Sequence, residues 1–373
     1  MILTFTEPYD DHALFVQEGL RAKGGDTLLW YTADLAQRLR ASLEMAPESG
    51  ASWRISGPEL SFGSIPPQVI WHRRPAWPVI SDAIHPADRA WARVENEEFH
   101  TWLLAALPAS AFWVNSLGGS RAARSKIYQQ DVARRAGLSI PRTLYSNDPH
   151  EIRAFIHAQG GRVAYKAFTQ KGFWKIKNDG RAVLFTALLT ADQLPDDEVL
   201  RATPGMYQPY LDKVYELRVT VMGEHIFAAK VDSQSTDVGK LDWRRGHSGT
   251  MQLGGFEPIE LSAELNRAIL HLMRTMGLIF GCLDFIVTPS GDHVFLEVNE
   301  MGQFLFVEEL TGMPLLDAFC ELLLQGRPDF SWDPARVTVR MGDFTGQVEK
   351  RKLEAGKTHV MPPDRVIGVE PDA

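Results

Sequence analysis

Residues 283–299, LDFIVTPSGDHVFLEVN, read as two apolar strands joined by a turn, interrupted near their open end by Asp284, Glu297 and Asn299. Pro289, with its φ already fixed, suits the second position of a β-turn, and Gly291 suits its end. A loop from Pro289 to Asp292 pairs Thr288 with His293 and sets Asp284 opposite Glu297. Side chains alternate along a strand, so Asn299 shares the face of Glu297, together with Ile286 and Phe295. Two like charges directly across a strand pair repel each other, and neither strand carries Lys or Arg. One alternative is a solvated sheet face, against which the apolar neighbours weigh. The other is a hard cation. Mg²⁺ prefers oxygen ligands and completes a small carboxylate set with water and phosphate oxygens. The hairpin therefore reads as a nucleotide–metal site. Removing either carboxylate is expected to abolish turnover and, by relieving repulsion, to leave apo stability unchanged or higher.

The chain has 373 residues, enough for two or three domains, with 45% hydrophobic and 23% charged residues. A net charge of −8 argues against broad nucleic-acid binding. Two cysteines, Cys282 and Cys320, lack metal-ligand spacing and fit a reducing compartment. The N-terminus MILTFTEPYDD lacks the pattern of a signal peptide, and the longest apolar run, WLLAALPASAFWV, is too short to span a bilayer. The expectation is a soluble cytoplasmic protein without membrane or nucleic-acid partners.

Short strands at 2–5, 27–31 and 68–72 alternate with helices at 11–22 and 87–107, which predicts an α/β domain over residues 1–117. GGSRAAR then leads into a helix expected over 121–136, closed by Gly137 and Pro141. From Val163 onward strands and hairpins dominate, with one helix near 262–276. Residues 331–373 are charged and end rich in proline, an appended arm or tail.

Neither a Walker-type loop nor a Gly-x-Gly-x-x-Gly turn is present. The cations that could meet phosphate stand singly at element boundaries. Lys126 lies in the first turns of the helix expected over 121–136, and Lys166 lies mid-strand in VAYKAF, where it could also snorkel at a sheet edge. Gln208, Pro209 and Tyr210 look like an irregular connector whose backbone could meet a purine edge. Glu216 and Arg218 share a strand face, which a surface ion pair would also explain. Arg244 lies in the charged stretch DVGKLDWRRGHSG, either a solvated loop or a forked clamp for phosphate or carboxylate oxygens.

In this order the pieces resemble the ATP-grasp ligases over roughly residues 115–325. The stretches that carry the likeness are KIYQQDVARRAGLSIPRTLYSNDP, VAYKAF, QPYLDKVYELRVTVMGEHIFAAKVDSQ, LDWR and GCLDFIV…FLEVNEMGQFLFVEELTG. Within that superfamily the chain is similar to the maturases of graspetides, microviridin-type ribosomal peptides crosslinked by ester or amide bonds. VIWHRRP in the first domain adds to this. The resemblance implies a pre-ATP-grasp α/β domain followed by a two-lobed ATP-grasp fold of mixed and antiparallel sheets. Its lobes would be a central subdomain with a lid over 118–205 and a metal-bearing subdomain over 206–330. It makes Lys126 and Lys166 phosphate ligands, puts adenine at Gln208, Pro209 and Tyr210, and gives Mg²⁺ to Asp284, Glu297 and Asn299. Arg218 and Arg244 would face the transferred phosphate or the activated carboxylate. The segment TQKGFWKIK has one glycine where many such lids have several, and the arm beyond 330 has no counterpart.

The implied reaction is ATP-dependent activation of a carboxylate as an acyl phosphate, displaced by a hydroxyl or amine. The implied partner is a precursor peptide rich in Asp or Glu and in Thr, Ser or Lys, with a leader segment. Arg73, Arg74, Lys171, Phe173, Trp174, Lys175 and Lys177 are material for its groove, and a homodimer stays open. Two further readings remain: a ligase joining small carboxylates to amines, and a non-enzymatic ATP-binding regulator. No base for the nucleophile is identifiable.

Overall fold

Ile2–Thr6, Thr27–Tyr31 and Val69–His72 are short, almost wholly buried apolar runs, the pattern of parallel strands covered by helices on both faces. In the computed structural model they form a parallel sheet with Phe112–Val114, in the order 27–31, 2–6, 69–72, 112–114. Helix Asp11–Ala22 covers one face, where Leu14 and Leu20 join Ile2, Leu29, Val69 and Trp71. Helix Arg89–Ala105 covers the other, with Leu103 and Leu104 against Leu3, Phe5, Trp30 and Ile70. The structure describes residues 1–362 apart from 49, 59, 64–65, 169–173, 176–180, 183–185, 236–238, 242 and 244–254.

Two further sheets follow. The first is antiparallel, in the order Ala187–Thr190, Arg162–Lys166, Gly205–Pro209, Leu144–Ser146. Its buried face packs on helix Pro149–Ala158, which starts at Asp148 accepting the His150 N–H at 2.8 Å. The second has five antiparallel strands: Phe256–Pro258, His225–Val231, Tyr215–Met222, Phe280–Val287 and His293–Asn299. One face holds Leu217, Val219, Leu283 and Phe285 against helix Ala263–Thr275. A smaller antiparallel sheet, Arg40–Ala46, Gly50–Ser56 and Ser61–Phe62, stands largely exposed beside the first.

The single helix expected over 121–136 is two helices, Leu117–Ala123 and Lys126–Arg135. Ser125 separates them because its hydroxyl accepts the Tyr128 N–H at 3.3 Å, a new N-cap that makes Lys126 a first helical residue. Beyond residue 330 the described part of the arm runs to residue 362. Helix Thr345–Thr358 returns to the N-terminal helix, where Arg351 pairs with Glu18 and Lys352 with Asp11, and Val348 and Ala355 are buried. Among the described residues no helix is long and apolar enough to cross a membrane.

Candidate active site

The turn of the 283–299 hairpin is one residue wider than its composition suggests. His293 faces Val287, not Thr288, and Phe285 faces Phe295. A bulge then restores the register, so that Asp284 does face Glu297 and Cys282 faces Asn299. A bulge sets two residues against one and turns part of the strand over. Phe295 consequently leaves the charged face and stacks edge-on against Phe285 in the core, at 5.6 Å between ring centroids. Leu296 takes its place beside Ile286.

The cations that this hairpin lacks come from its neighbours. Arg218 lies directly across from Asp284 on the next strand, and its Nη1 donates to Asp284 Oδ1 at 2.9 Å. Lys126 reaches from its helix to Glu297, with Nζ 2.5 Å from Oε2. Asn299 donates to the other Glu297 oxygen at 3.3 Å. Arg218, Asp284, Glu297 and Lys126 thus form one row of charge, two carboxylates between two cations. The Arg218–Asp284 pair is almost wholly buried, at 6% and 7% side-chain exposure, whereas Lys126 is 24% exposed. Two carboxylates and an amide oxygen on one face are a hard donor set that fits Mg²⁺ completed by phosphate oxygens. Among the described residues no three His, Cys, Asp or Glu side chains gather as a metal group, so such an ion needs oxygens from its nucleotide.

The two carboxylates of this row line a cleft, open to solvent, between the four-stranded and five-stranded antiparallel sheets. Ala164, Lys166, Gln208, Pro209 and Tyr210 line one side; Glu216, Asp284, Ile286, Leu296 and Glu297 line the other. Gln208 and Pro209 are not an irregular connector. They are the last residues of the strand Gly205–Pro209, and the Gln208 side chain is turned inward, donating to Thr143 Oγ1 at 3.0 Å. Tyr210 begins the connector, its ring under the Arg162 guanidinium at 4.7 Å. Lys166 is the last residue of its strand, at the cleft, with its stem half-buried. Arg244, Lys171, Phe173 and Lys177, and the side chains of Trp174 and Lys175, lie outside the described residues.

Several groups at this site carry no motif of their own. Lys213 and Glu216 form a buried pair at 2.5 Å inside the cleft. Their spacing of three residues is visible in the sequence, but their burial is not. Gln129 sits one helical turn after Lys126 and pairs with the edge of the hairpin like a strand residue. Its Nε2 donates to Val298 O at 2.8 Å, and its Oε1 accepts the Val298 N–H at 2.9 Å. Asn115 brackets the neighbouring strand in the same manner, bonding Ile279 N, Phe280 N, Phe280 O and Glu300 O. The loop after Asn299 is gripped from both sides. Arg218 donates to Gln303 O at 2.7 Å, while Arg73 donates to Met301 O and Gly302 O. His12 Nε2 accepts the N–H groups of Phe304 and Leu305 at 2.9 and 3.1 Å. Residue 302 must be glycine for this loop to lie so close, since a Cβ there would stand 2.5 Å from that of Cys282. Burial, and after it the charge of Arg73, holds the His12 imidazole well below its usual range, in keeping with its acceptor role.

No family model matches the chain. Two curated relatives match about two thirds of their own length: probable alpha-L-glutamate ligase 1 of Shewanella denitrificans and probable alpha-L-glutamate ligase 2 of Shewanella frigidimarina. The first is 22% identical over 57% of this chain and 68% of its own, the second 24% over 55% and 65%. Among solved structures, the RiPP-associated ATP-grasp ligase of Chryseobacterium gregarium, in complex with ADP and a leader and core peptide, superposes with a TM-score of 0.78 at 23% identity, covering 91% of this chain and 99% of its own. Macrocyclase MdnC of Microcystis aeruginosa, bound with precursor peptide MdnA, gives 0.76 at 26% identity over 87% and 99%. The fold, with its cleft between two antiparallel sheets, is similar to that of the ATP-grasp ligases. Within that class the chain is similar to the RiPP-associated macrocyclases.

Proposed function

We propose that the protein is an ADP-forming ligase that activates side-chain carboxylates of a ribosomal precursor peptide and closes ester or amide crosslinks within it. The observation that carries this reading is the row Arg218–Asp284–Glu297–Lys126, whose two carboxylates line the cleft between the two antiparallel sheets. Gln208, Pro209 and Tyr210 would border the purine, and Lys126 and Lys166 would bind phosphate oxygens. Asp284, Glu297 and Asn299 would hold Mg²⁺, which neutralises phosphate charge when bound. Arg218, and Arg244 from its stretch, would face the transferred phosphoryl group and the carboxylate. Phosphoryl transfer asks a protein chiefly for positioning and charge neutralisation, and this row supplies both. A carboxylate oxygen attacks the γ-phosphorus, the bond to the β–γ bridging oxygen breaks, and ADP leaves. A hydroxyl or amine then attacks the acyl carbon, phosphate departs, and the nucleophile's proton goes to water.

The likeness to MdnC and to the Chryseobacterium ligase over nearly their whole lengths supports a peptide substrate. We assign that peptide an Asp- or Glu-rich core with Thr, Ser or Lys nucleophiles. We divide the chain into a pre-ATP-grasp domain (1–117), a central subdomain (118–205), a metal-bearing subdomain (206–330) and an arm (331–373). The likeness to the glutamate ligases favours a second reading, ligation of free amino acids. Incubation with ATP, Mg²⁺ and a Thr- and Glu-rich peptide encoded beside this chain separates the two. Peptide crosslinking expels one water per bond, read by mass spectrometry. Faster ADP formation with free glutamate than with any such peptide would give the second reading precedence.

A further inference from the structure

The first sheet has a feature that the nucleotide cleft does not use. From strand 2–6 the chain passes through helix 11–22 to strand 27–31 on one side, and later crosses to strand 69–72 on the other. The strand order therefore reverses between 2–6 and 69–72, and beyond the carboxyl ends of such strands lies the position at which open parallel sheets form a ligand-binding crevice. Arg73 and Arg74 stand there, both with backbone N–H groups donating to Phe5 O at 3.2 and 3.1 Å.

The two arginines differ completely in their surroundings. Arg73 is fully buried; its Nε lies 3.1 Å from Asp10 Oδ2 and its Nη1 holds the carbonyls of 301 and 302. Arg74 is half-buried, and among the described residues its guanidinium has neither an ion pair nor a hydrogen bond. Asp10, the carboxylate at hand, already pairs with Arg73 and accepts from Thr6 at 3.1 Å. The loop gripped by Arg73 runs on to Gln303, whose carbonyl takes Arg218. The crevice therefore adjoins the charged row through three residues of chain.

We propose that Arg74 forms an anion subsite at this crevice, which takes a side-chain carboxylate of the acidic substrate peptide and presents that segment to the phosphoryl end of the cleft. The inference rests on the peptide-ligase reading above and adds the residue that reads acidity. A planar guanidinium with five donors matches a carboxylate in two-pronged fashion, and a half-buried one whose nearby Asp10 is already engaged by Arg73 has donors to offer it. Arg73 cannot serve, because it is fully buried against Asp10 and the 301–302 carbonyls, out of reach of a peptide side chain.

The test uses the full chain saturated with ADP and Mg²⁺, and a fluorescent peptide of alternating Glu and Thr beside its Gln-for-Glu counterpart. In the wild type the Glu peptide is expected to bind about tenfold or more tightly than the Gln peptide, the effect of one charge-assisted contact. Arg74→Ala should collapse that ratio towards one, and Arg74→Lys should restore part of it. ADP affinity and melting temperature should stay at wild-type values in both variants. Equal binding of the two peptides by the wild type, or an undiminished ratio in Arg74→Ala, overturns the subsite. Loss of ADP and Mg²⁺ binding in the wild type would instead sink the ligase reading itself.

Discussion

At Asp284 and Glu297 the sign of an electrostatic argument depends on residues distant in sequence. Repulsion between two facing carboxylates would make either amide substitution neutral or stabilising. The structure reverses this for Asp284, because Arg218 is buried against it. Asp284→Asn should cost about 3 kcal/mol in denaturant unfolding of the nucleotide-free protein, since it leaves a buried guanidinium without its counter-charge. Glu297→Gln should cost under about 1 kcal/mol, because Lys126 can turn to water. Both should abolish peptide-dependent ADP formation. Equal stability of the two variants would show that the Arg218 pair does not hold the strand. Lys166→Ala, which removes a cation from the cleft wall, should weaken ADP affinity at least tenfold in calorimetry without lowering the melting temperature.

Between elements, the hairpin was legible where composition dictates geometry and illegible where packing does. Pro289 and Gly291 marked the turn, but the pairing of Asp284 with Glu297 holds only because the bulge offsets the turn's extra residue. The bulge at Leu296 has no local signal, so Phe295 was expected on the wrong face. The pairing of Arg218 with Asp284 joins strands more than sixty residues apart, which no spacing reveals. Helix Leu305–Thr311 is only seven residues long and Leu315–Gln325 is strongly apolar, so pattern alone marks neither well, whereas Asp148–Pro149 is a readable helix start. Gln129 belongs to the same class of invisible contact. Its carboxamide extends the five-stranded sheet by one residue's worth of pairing and keeps Lys126 level with Glu297. Gln129→Ala should lower stability by about 2–3 kcal/mol, since it strands a buried N–H and carbonyl of Val298. It should also raise the Mg²⁺ concentration needed for half-maximal ADP formation. An unchanged Mg²⁺ requirement would separate this clamp from the metal-bearing face.

Over the whole molecule, three buried histidines make the fold sensitive to acid. Burial pushes His72 and His100 down to about 4, and His12 falls well below its usual range. In the unfolded chain each titrates near about 6.5. The native state therefore holds fewer protons than the unfolded state between those values, and stability falls as pH drops through that window. His72 and His100 should each remove about 2 kcal/mol between pH 7 and pH 5. Urea midpoints at the two pH values test this, and His100→Gln should flatten the slope. The helix Thr345–Thr358 has a different consequence. It lies across Asp11–Ala22, more than three hundred residues away in the chain, and buries Val348 and Ala355 there. During synthesis the first helix therefore leaves the ribosome long before its cover exists. The sheet beneath that helix must wait, one apolar flank still wet, until the three hundred and more residues between the two helices are made, so a chaperone that shields this flank would act throughout that interval.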